Sequence, residues 1–368
     1  MAHVGSAPAV SVLMPVYNGE RFLAEAIESI LGQTFTDFEF VIIDDGSTDA
    51  SPAILTDYAS RDSRIRVLTQ TNAGQVVAAN RGLAECRAPL VARMDADDIS
   101  LASRLERQVK FLSSYPAVAV VGSAYQLISE TGARGSIIKG PTTVPAVMRT
   151  LKWENCVGAP TVMMRKSAAQ EVGGYREQFR HAEDYDLWLR IADNHSVAVM
   201  KACLVEYRIH TQQVSWHSSE IQAIRALAAR ALAEQRRTTG RESNPLPADI
   251  GRAYLAMCGI PPGTVDETVV LQRVGRVAAY ESVGMDEHAR TLRLALFDQP
   301  ALADRTDLRR SIRARLAWQD TLEALRHGRW GSGVLSLMQC AAVVARDIKM
   351  QRVAIRQLLG YLGMTKAP

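Results

Sequence analysis

Two clusters of aspartates, about fifty residues apart, are the residues in this sequence with the clearest potential for chemistry. The first is Asp44-Asp45-Gly46-Ser47 and the second is Asp95-Ala96-Asp97-Asp98. Each directly follows a short apolar run, at residues 40–43 and 90–94, of the kind that forms a buried strand. Carboxylates at the end of a buried strand are costly unless a partner neutralises them. A divalent cation that bridges to nucleotide phosphates would do so, and Asp-x-Asp supplies the oxygen ligands that Mg²⁺ and Mn²⁺ prefer.

Strand and helix signals alternate over the first hundred residues. Apolar runs at residues 10–16, 38–43, 65–68 and 90–94 predict strands, and helical spacing of apolar residues predicts a helix between each successive pair. This alternation indicates βαβ units, and therefore an α/β fold with a mostly parallel sheet flanked by helices. Ligands of such sheets bind beyond the carboxyl ends of the strands. Both aspartate clusters should therefore meet Pro15-Val16-Tyr17-Asn18, which ends the first strand, in one crevice.

Length and composition predict two domains with a substantial core. The chain has 368 residues, of which 47% are hydrophobic and 22% charged. From about Trp216 onward, alanine, leucine and arginine replace the β-branched runs, which predicts helices. We expect a mixed α/β domain over residues 1–218, with a nucleotide-binding half at 1–115 and an acceptor half at 116–218. A helical module of unknown role should follow over residues 219–368.

Cysteine usage and hydropathy predict a cytoplasmic protein. The five cysteines are odd in number and form no C-x-x-C, which argues against a disulfide framework and a structural zinc site. We find no signal peptide, and no apolar run approaches the roughly eighteen residues of a membrane span. The net charge of the chain is +4. Its positive part lies in residues 216–368, which hold 22 Lys and Arg against 15 Asp and Glu, whereas residues 1–215 hold 21 against 24. That excess indicates solvated helical faces or, alternatively, peripheral contact with the inner face of a membrane; nucleic acid is not an expected partner.

Over residues 9–215 the sequence resembles glycosyltransferase family 2, an inverting family with the GT-A fold. Six motifs in the order and spacing of that family carry the resemblance: Val12-Leu13-Met14-Pro15-Val16-Tyr17-Asn18, Ser29-Ile30-Leu31-Gly32-Gln33-Thr34, Asp44-Asp45-Gly46-Ser47-Thr48-Asp49, Asn80-Arg81-Gly82-Leu83, Asp95-Ala96-Asp97-Asp98 and Glu183-Asp184-Tyr185-Asp186-Leu187-Trp188. The resemblance implies a Rossmann-like GT-A domain. It also implies transfer of a sugar from a nucleoside-diphosphate sugar, with UDP-sugar as the first choice, to a saccharide, lipid-linked or cell-surface glycan acceptor. Neither the Q-x-x-R-W motif nor the membrane helices of processive members are found, which favours single addition.

The resemblance assigns donor binding to seven residues: Pro15, Tyr17, Asn18, Asp44, Asp45, Asn80 and Asp95. Tyr17 would flank the base, and Asp45 would accept hydrogen bonds from it. Asp97 would ligate Mg²⁺ or Mn²⁺, and Asp95 would meet either the ribose or the metal. The cation would neutralise the diphosphate and stabilise the departing nucleoside diphosphate.

The same resemblance makes Asp184 the general base. An inverting transfer needs one carboxylate to take the proton of the acceptor hydroxyl. Glu183 would help to set the position or charge of Asp184. We expect the like-charged neighbours Glu183 and Asp186 to raise the pKa of Asp184 if the site is dry. These acidic residues also suit the first turn of a helix, where the dipole favours negative charge, and the two roles are compatible.

Several neighbouring residues have two interpretations each. Asp98 belongs either to the acidic site or to the N-cap of the next helix. Asn80 and Arg81 either face the nucleotide or form a pair on a helix surface. Trp188 either floors the acceptor site or packs in the core. His210 either reaches the diphosphate or metal, or has a structural role.

Two other functions stay open on the sequence alone. A nucleotidyltransferase acting on a sugar phosphate would also gather acidic residues around a metal and a nucleotide. It would usually bring a glycine-rich phosphate loop, whereas Asn72-Ala73-Gly74-Gln75 is poor in glycine and no P-loop motif is found. The second alternative is a catalytically inactive binding protein with the GT-A fold. The intact Asp95, Asp97 and Asp184 argue against it.

Overall fold

The computed structural model describes residues 7–211 and 218–297. Its strands are β1 (Val10–Val16), β2 (Phe38–Asp44), β3 (Ile65–Thr69), β4 (Leu90–Arg93), β5 (Ile99–Ser100), β6 (Val118–Ser129), β7 (Arg134–Ile138), β8 (Met163–Arg165) and β9 (Ser196–Ile209). Its α-helices are α1 (Leu23–Leu31), α2 (Ser51–Arg61), α3 (Gln75–Glu85), α4 (Arg104–Ser114), α5 (Val144–Leu151), α6 (Lys166–Glu171), α7 (Glu183–Ile191), α8 (Ser219–Thr239), α9 (Arg252–Met257), α10 (Pro262–Ser282) and α11 (Asp286–Phe297). Two 3₁₀ turns, Ala159–Thr161 and Glu177–Phe179, precede β8 and α7.

The strands of the described ranges form one sheet in the order β3-β2-β1-β4-β8-β6-β9-β5, and β7 pairs with β6. β1 to β4 run parallel, with helices as the crossovers between them, so the predicted α/β fold is confirmed. Beyond β4 the sheet becomes mixed. β8 is antiparallel to both β4 and β6, whereas β6 and β9 are parallel. The parallel half therefore carries the two aspartate motifs at its carboxyl edge.

Both faces of the sheet are covered at β1 and β2, which explains why these two strands are almost continuously apolar. Val12, Met14 and Phe40 pack with the buried side of α1 on one face of the sheet. Side chains alternate between the faces of a strand, so Leu13 and Ile43 point to the opposite face, against α3. A strand buried on both faces has no polar side to present. The continuous apolar runs in the sequence follow from this arrangement.

Helix α3 approaches the sheet most closely at Gly82. A Cβ built on this glycine would lie 2.1 Å from Leu13 Cδ1 and 3.0 Å from Ile43 Cγ1. Either distance is shorter than atoms of packed side chains tolerate. Glycine is therefore required for the helix to sit on β1 and β2 at this spacing.

The C-terminal strand region differs from the sequence prediction. The apolar runs at residues 197–199 and 204–207 predict two short strands, but both runs belong to the single strand β9. Met200 pairs with Ser123 and Cys203 pairs with the next residue, Ala124, so two residues of β9 bulge out of the ladder. A bulge breaks the alternation of buried and exposed side chains, and this interrupts the strand signal in the sequence.

The described residues divide into two compact units. The first runs to Val265 and includes Ser282–Gly284; the second contains Asp266–Glu281 and continues from Met285. Helices α8 and α9 belong to the first unit, and the predicted division at residue 218 stays a prediction. Residues 219–297 are helical, as expected, whereas the basic stretch over residues 305–356 lies outside the described residues. Within the described ranges, no helix is both long and apolar enough to cross a membrane.

The close approach at Gly82 makes a prediction about stability. Gly82→Ala should lower the free energy of unfolding by about 1–3 kcal/mol, because the new methyl group forces Leu13 off its packed position. Gly251→Ala is the control, since nothing lies within 4 Å of a Cβ at that site. Urea titrations of the two variants and the parent measure the effect. Equal unfolding midpoints for the two variants would contradict the packing argument.

Candidate functional site

Hydrogen bonds join the loop that follows β1 to the loop that follows β2. The backbone N–H of Asp45 donates to the carbonyl of Val16 at 2.8 Å. The N–H of Asn18 donates to Ser47 Oγ at 3.0 Å, and Asn18 Oδ1 accepts from the N–H of Thr48 at 2.8 Å. Asn18 has a φ of 51°, a left-handed conformation that asparagine tolerates better than most residues. The two predicted motifs thus form one continuous surface at the edge of the sheet.

The carboxylates of Asp44 and Asp45 are both buried, and each organises a loop. Asp44 Oδ1 accepts a hydrogen bond from Ser47 N–H at 3.0 Å and so closes the turn between them. Asp45 Oδ1 accepts from Gln70 Nε2 and from Ala73 N–H, and Asp45 Oδ2 accepts from Gly74 N–H. A carboxylate offers about four acceptor positions, so three donors leave one. Contact between Asp45 and a nucleotide base stays a prediction that depends on this position.

Tyr17 and Pro15 flank these loops in different ways. Tyr17 leaves 52% of its surface exposed at the tip of the loop after β1, so its ring is open to a planar partner. Pro15 is the penultimate residue of β1 and pairs in register with Ile43, directly before Asp44. Pro15 therefore sets the position at which the loop after β1 begins, and Tyr17 contributes an exposed aromatic ring to that loop.

The Asp-x-Asp motif lies beside the loop after β1. A Cβ built on Gly19 would lie 3.6 Å from the Cβ of Ala96, the central residue of the motif. On either side of Ala96, each aspartate has one paired oxygen. Asp95 Oδ1 is 3.0 Å from Arg93 Nη2, and Asp97 Oδ2 is 2.9 Å from His210 Nε2. The structure therefore gathers three of the predicted motifs at one edge.

The residues of the motif fit a divalent cation that shares its coordination with a ligand. Among the described residues, the second carboxylate oxygens of Asp95 and Asp97 make no recorded hydrogen bond, and the two side chains are 26% and 30% exposed. Two hard oxygens are suitable ligands for Mg²⁺ or Mn²⁺, which usually take the rest from phosphates and water. Over the same ranges, no group of three or more His, Cys, Asp or Glu is arranged to hold a metal alone. Asp97 and Asp95 would hold the cation, and it would neutralise a bound diphosphate.

The alternative that Asp98 caps the next helix is wrong. The two-residue strand β5 separates Asp98 from α4, which begins at Arg104 after Ser103. Asp98 is buried instead, and its Oδ1 accepts a hydrogen bond from the N–H of Arg208 in β9 at 2.9 Å. Burial raises the pKa of Asp98 well above its usual value, and the charges of Asp97 and Asp95 raise it further. Asp98 therefore ties the acidic motif to β9.

Arg93 is a site residue that the sequence reasoning missed. It ends β4, is 3% exposed, and donates to Asp95 through both Nε and Nη2. Burial by itself lowers the pKa of Arg93, but the charges of Asp95, Tyr175 and Glu183 outweigh it, and the net shift is upward. One guanidinium group thus lies within electrostatic reach of both acidic motifs. A charged residue inside the apolar run 90–94 was the signal, since a buried charge needs a partner.

The predicted base lies next to this guanidinium group. Asp184 is half-buried in the first turn of α7, where Oδ1 accepts from Tyr185 N–H and Oδ2 accepts from Asn155 Nδ2 at 2.9 Å. Burial raises the pKa of Asp184, the charge of Asp95 adds to the rise, and hydrogen bonds together with Arg93 reduce it. Burial, with the charge of Asp184, raises the pKa of Glu183 to about 7. The Glu183-Asp184 pair and the Asp-x-Asp motif therefore share one electrostatic environment.

The structure differs from the sequence prediction on which acidic residue raises the pKa of Asp184. Asp186 was predicted to raise the pKa of Asp184, but its carboxylate pairs with Arg176 and Arg190, which neutralise it. The acidic neighbour that acts on Asp184 across the sheet is Asp95. Helical periodicity explains the difference, because Asp186 is two residues from Asp184 and lies on another face of α7.

Three residues with two interpretations are clarified by their contacts. The amide of Asn80 donates to the carbonyl of Tyr175 at 2.8 Å and accepts from its N–H at 2.9 Å, so nucleotide contact by Asn80 stays a prediction. Arg81 donates to the carbonyl of Thr69 on the adjoining strand. Trp188 is fully buried and belongs to the core. Asn80 fixes the loop that leads to Glu183, because Tyr175 lies in that loop.

A cavity of about 700 Å³ lies between the start of α3 and the loop that precedes α7. Ala73 and Gly74, whose N–H groups bind Asp45, line one wall. Tyr175 and Arg176 line another, and the charge of Asp184 contributes to raising the pKa of Tyr175 to about 12, after burial. Asp95, Asp97, Glu183 and Asp184 are not among the residues that line this cavity, which is connected to the site through Asp45, whose carboxylate accepts from Ala73 and Gly74.

The raised pKa of Glu183 predicts a pH dependence of stability. A carboxyl whose pKa is higher in the folded state stabilises the protein at low pH, and this contribution is lost as pH rises through the folded value of about 7. Between pH 5 and 8 the wild type should therefore lose about 2–3 kcal/mol that Glu183→Gln does not lose. Urea unfolding at unit pH steps measures both curves. Glu106→Gln, on the exposed side of α4, should keep the wild-type slope, and parallel curves for wild type and Glu183→Gln would contradict the assignment.

Solved structures match this architecture over most of the chain. TarS residues 1–349 of S. aureus in complex with UDP-GlcNAc is 18% identical, covers 88% of this chain and 89% of TarS, and gives a TM-score of 0.51. The mannosyltransferase PcManGT of Pyrobaculum calidifontis, in complex with GDP-Man and Mn²⁺, is 16% identical with a TM-score of 0.50 and covers 91% and 88%. At these identities the likeness is one of fold, and it confirms the predicted GT-A architecture.

Sequence relatives identify the family. EpsE of Bacillus subtilis is 40% identical over 195 residues, which cover 51% of this chain and 68% of EpsE. The O-antigen biosynthesis glycosyltransferase WbnJ of Escherichia coli is 34% identical over 207 residues, 55% of this chain and 80% of WbnJ. The amylovoran biosynthesis glycosyltransferase AmsE of Erwinia amylovora is 32% identical over 225 residues, 58% and 84% of the two chains. Residues 11–173 match the model of glycosyl transferase family 2, and with these relatives the match makes the chain a member of that family.

Proposed function

We propose that this protein is an inverting glycosyltransferase that moves a sugar from a UDP-sugar to a hydroxyl group of a saccharide acceptor. The environment of Asp184 carries the proposal. Its carboxylate is half-buried, both oxygens are held by hydrogen bonds, and its pKa is raised by burial and by Asp95. A carboxylate in this state is a better proton acceptor near neutral pH than an exposed aspartate.

The proposed reaction is a single displacement. The acceptor oxygen attacks the anomeric carbon of the donor as Asp184 takes the hydroxyl proton. The bond from the anomeric carbon to the phosphate oxygen breaks, its electron pair leaves with UDP, and the configuration inverts. Asn155 and the N–H of Tyr185 orient the carboxylate of Asp184. Arg93 lies near enough to stabilise the charged form of Asp184 before the proton arrives.

The donor would lie against the loops that follow β1 and β2. Tyr17 offers an exposed ring to the base, and the bonded loops around Asp45 form the wall beside it. Asp95 and Asp97 would hold Mg²⁺ or Mn²⁺ at the diphosphate, where the cation stabilises negative charge on the leaving group. TarS with UDP-GlcNAc and PcManGT with Mn²⁺ support these choices by analogy of fold.

The acceptor class is inferred from the relatives. WbnJ and AmsE are named for O-antigen and amylovoran biosynthesis. We infer a saccharide or lipid-linked glycan of surface polysaccharide type as the acceptor, and a cytoplasmic site of action. Peripheral contact with a membrane through the basic C-terminal stretch stays a prediction.

Asp184→Asn tests the role of the base. Transfer should fall by at least about 10²-fold, because the amide cannot accept the proton. Binding of UDP with Mn²⁺, measured by calorimetry, should be within about twofold of wild type. Asp57→Asn, on the exposed surface of α2, is the control and should leave both quantities unchanged. Full transfer activity in Asp184→Asn would refute the mechanism, and release of pyrophosphate from UTP and a sugar 1-phosphate, with formation of a UDP-sugar, would point to a nucleotidyltransferase.

Asp97→Asn tests the metal at the donor site. A ligand that binds only the folded protein raises the melting temperature. UDP with Mn²⁺ should therefore stabilise the wild type more than UDP alone, and Asp97→Asn should lose this difference while keeping the shift with UDP alone. Thermal denaturation with each combination measures both. An undiminished Mn²⁺ effect in the variant would exclude Asp97 as a ligand.

A further inference from the structure

We propose that Trp153 forms a subsite that binds a sugar ring of the acceptor beside Asp184. The inference rests on the proposed function and adds the residue that recognises the saccharide. Its ligand class is a pyranose with an apolar C–H face, presented with one hydroxyl toward the base. The family match assigns no role to Trp153, which lies in the segment between α5 and β8.

Trp153 is unusually exposed for its type. It leaves 69% of its surface open, more than any other large hydrophobic residue in the described ranges. Tryptophan is highly buried on average, so this exposure indicates a binding role. The backbone beneath it is ordered by the end of α5, because the N–H groups of Trp153 and Glu154 both donate to the carbonyl of Thr150, at 2.8 and 3.0 Å. The structure therefore presents the ring from a fixed position.

A direct contact connects this segment to the base. Asn155 donates to Asp184 Oδ2 at 2.9 Å. Trp153 is two residues from Asn155, so their Cα atoms are at most about 7 Å apart. A sugar ring is of similar width. This spacing is compatible with a pyranose that stacks on the indole of Trp153 and presents a hydroxyl toward Asp184.

Arg230 of α8 fixes the orientation of the indole ring. Its guanidinium carbon lies 5.6 Å from the ring centroid. The same guanidinium group lowers the pKa of Tyr185, although burial dominates and raises that pKa overall. Tyr185, which follows Asp184 directly, donates its hydroxyl to the carbonyl of Leu151 at 2.8 Å, two residues before Trp153, so the segment that carries the indole is anchored to the first turn of α7. With a cation on one face and 69% exposure, the other face of the ring is open to a sugar.

The other aromatic residues discussed above do not combine an exposed ring with a connection to Asp184. Trp188 shares α7 with Asp184 but is fully buried. Tyr17 is exposed on the donor side, in the loop after β1. Tyr115 packs against Phe111, with ring centroids 4.7 Å apart, at the end of α4. Within the described ranges, Trp153 is the exposed aromatic side chain joined by a hydrogen-bonded neighbour to the base.

The test separates acceptor binding from donor chemistry. Full-length protein is assayed with UDP-glucose, UDP-galactose and UDP-N-acetylglucosamine, and with the octyl β-glycosides of the three corresponding sugars as acceptors. Trp153→Ala should raise the acceptor KM about tenfold, as expected for the loss of one stacking contact. Its donor KM and its acceptor-free hydrolysis of the UDP-sugar should remain within about twofold of wild type. Trp153→Phe should recover most of the acceptor affinity, and Tyr115→Ala should change neither quantity.

Each outcome decides the proposal. An unchanged acceptor KM in Trp153→Ala would refute the subsite while leaving the glycosyltransferase function intact. Hydrolysis of a UDP-sugar without transfer to any glycoside would refute a saccharide ligand at Trp153. A preparation that neither hydrolyses nor transfers would overturn the proposed function itself, and the subsite with it. Equal melting temperatures of the variants would confirm that an exposed side chain was changed without loss of fold.

Discussion

The site depends on how this fold tolerates several carboxylates at one edge of its sheet. Asp95 and Asp98 belong to one acidic motif and Glu183 to the other; Asp98 and Glu183 are buried, Asp95 is 26% exposed, and like charges that lie close together destabilise one another. Arg93 offsets part of this cost, because it is buried between the two acidic motifs and pairs with Asp95. Removal of one partner from a buried ion pair usually costs several kcal/mol. The position of the guanidinium group therefore constrains where both motifs can lie.

The carboxylates of the site fall into two groups, which differ in their hydrogen bonds and in their pKa values. Asp95 and Asp97 keep part of their surface exposed and one oxygen each without a recorded partner, which suits a cation and a diphosphate. Glu183 is buried and Asp184 half-buried, and burial raises the pKa of each. A metal ligand must be charged, whereas a base must accept a proton readily. The different pKa shifts of these carboxylates would let one acidic cluster meet both needs in the proposed mechanism.

The two sides of the site are built differently. On the proposed donor side, short hydrogen bonds between consecutive loops of the parallel sheet fix the chain around Asp45. On the proposed acceptor side, the chain is fixed by contacts between distant segments, such as Asn155 with Asp184 and Trp153 with Arg230. Loops held by a few side-chain contacts can change in sequence without disturbing the sheet. This division is consistent with a common donor chemistry joined to acceptors of different kinds.

The sequence by itself determined the parallel half of the fold and the identity of the acidic motifs. Residues 10–16 and 38–43 are mostly apolar because β1 and β2 are buried on both faces, and the local sequence pattern shows such burial directly. The tertiary structure decided which residues these side chains contact and how deeply they are buried. Nothing local to Asp98 shows that it binds Arg208 rather than capping a helix, and nothing near Trp188 shows that it is fully buried. Charge pairing and burial are set by residues that are distant in sequence, so they emerge only when the chain is folded.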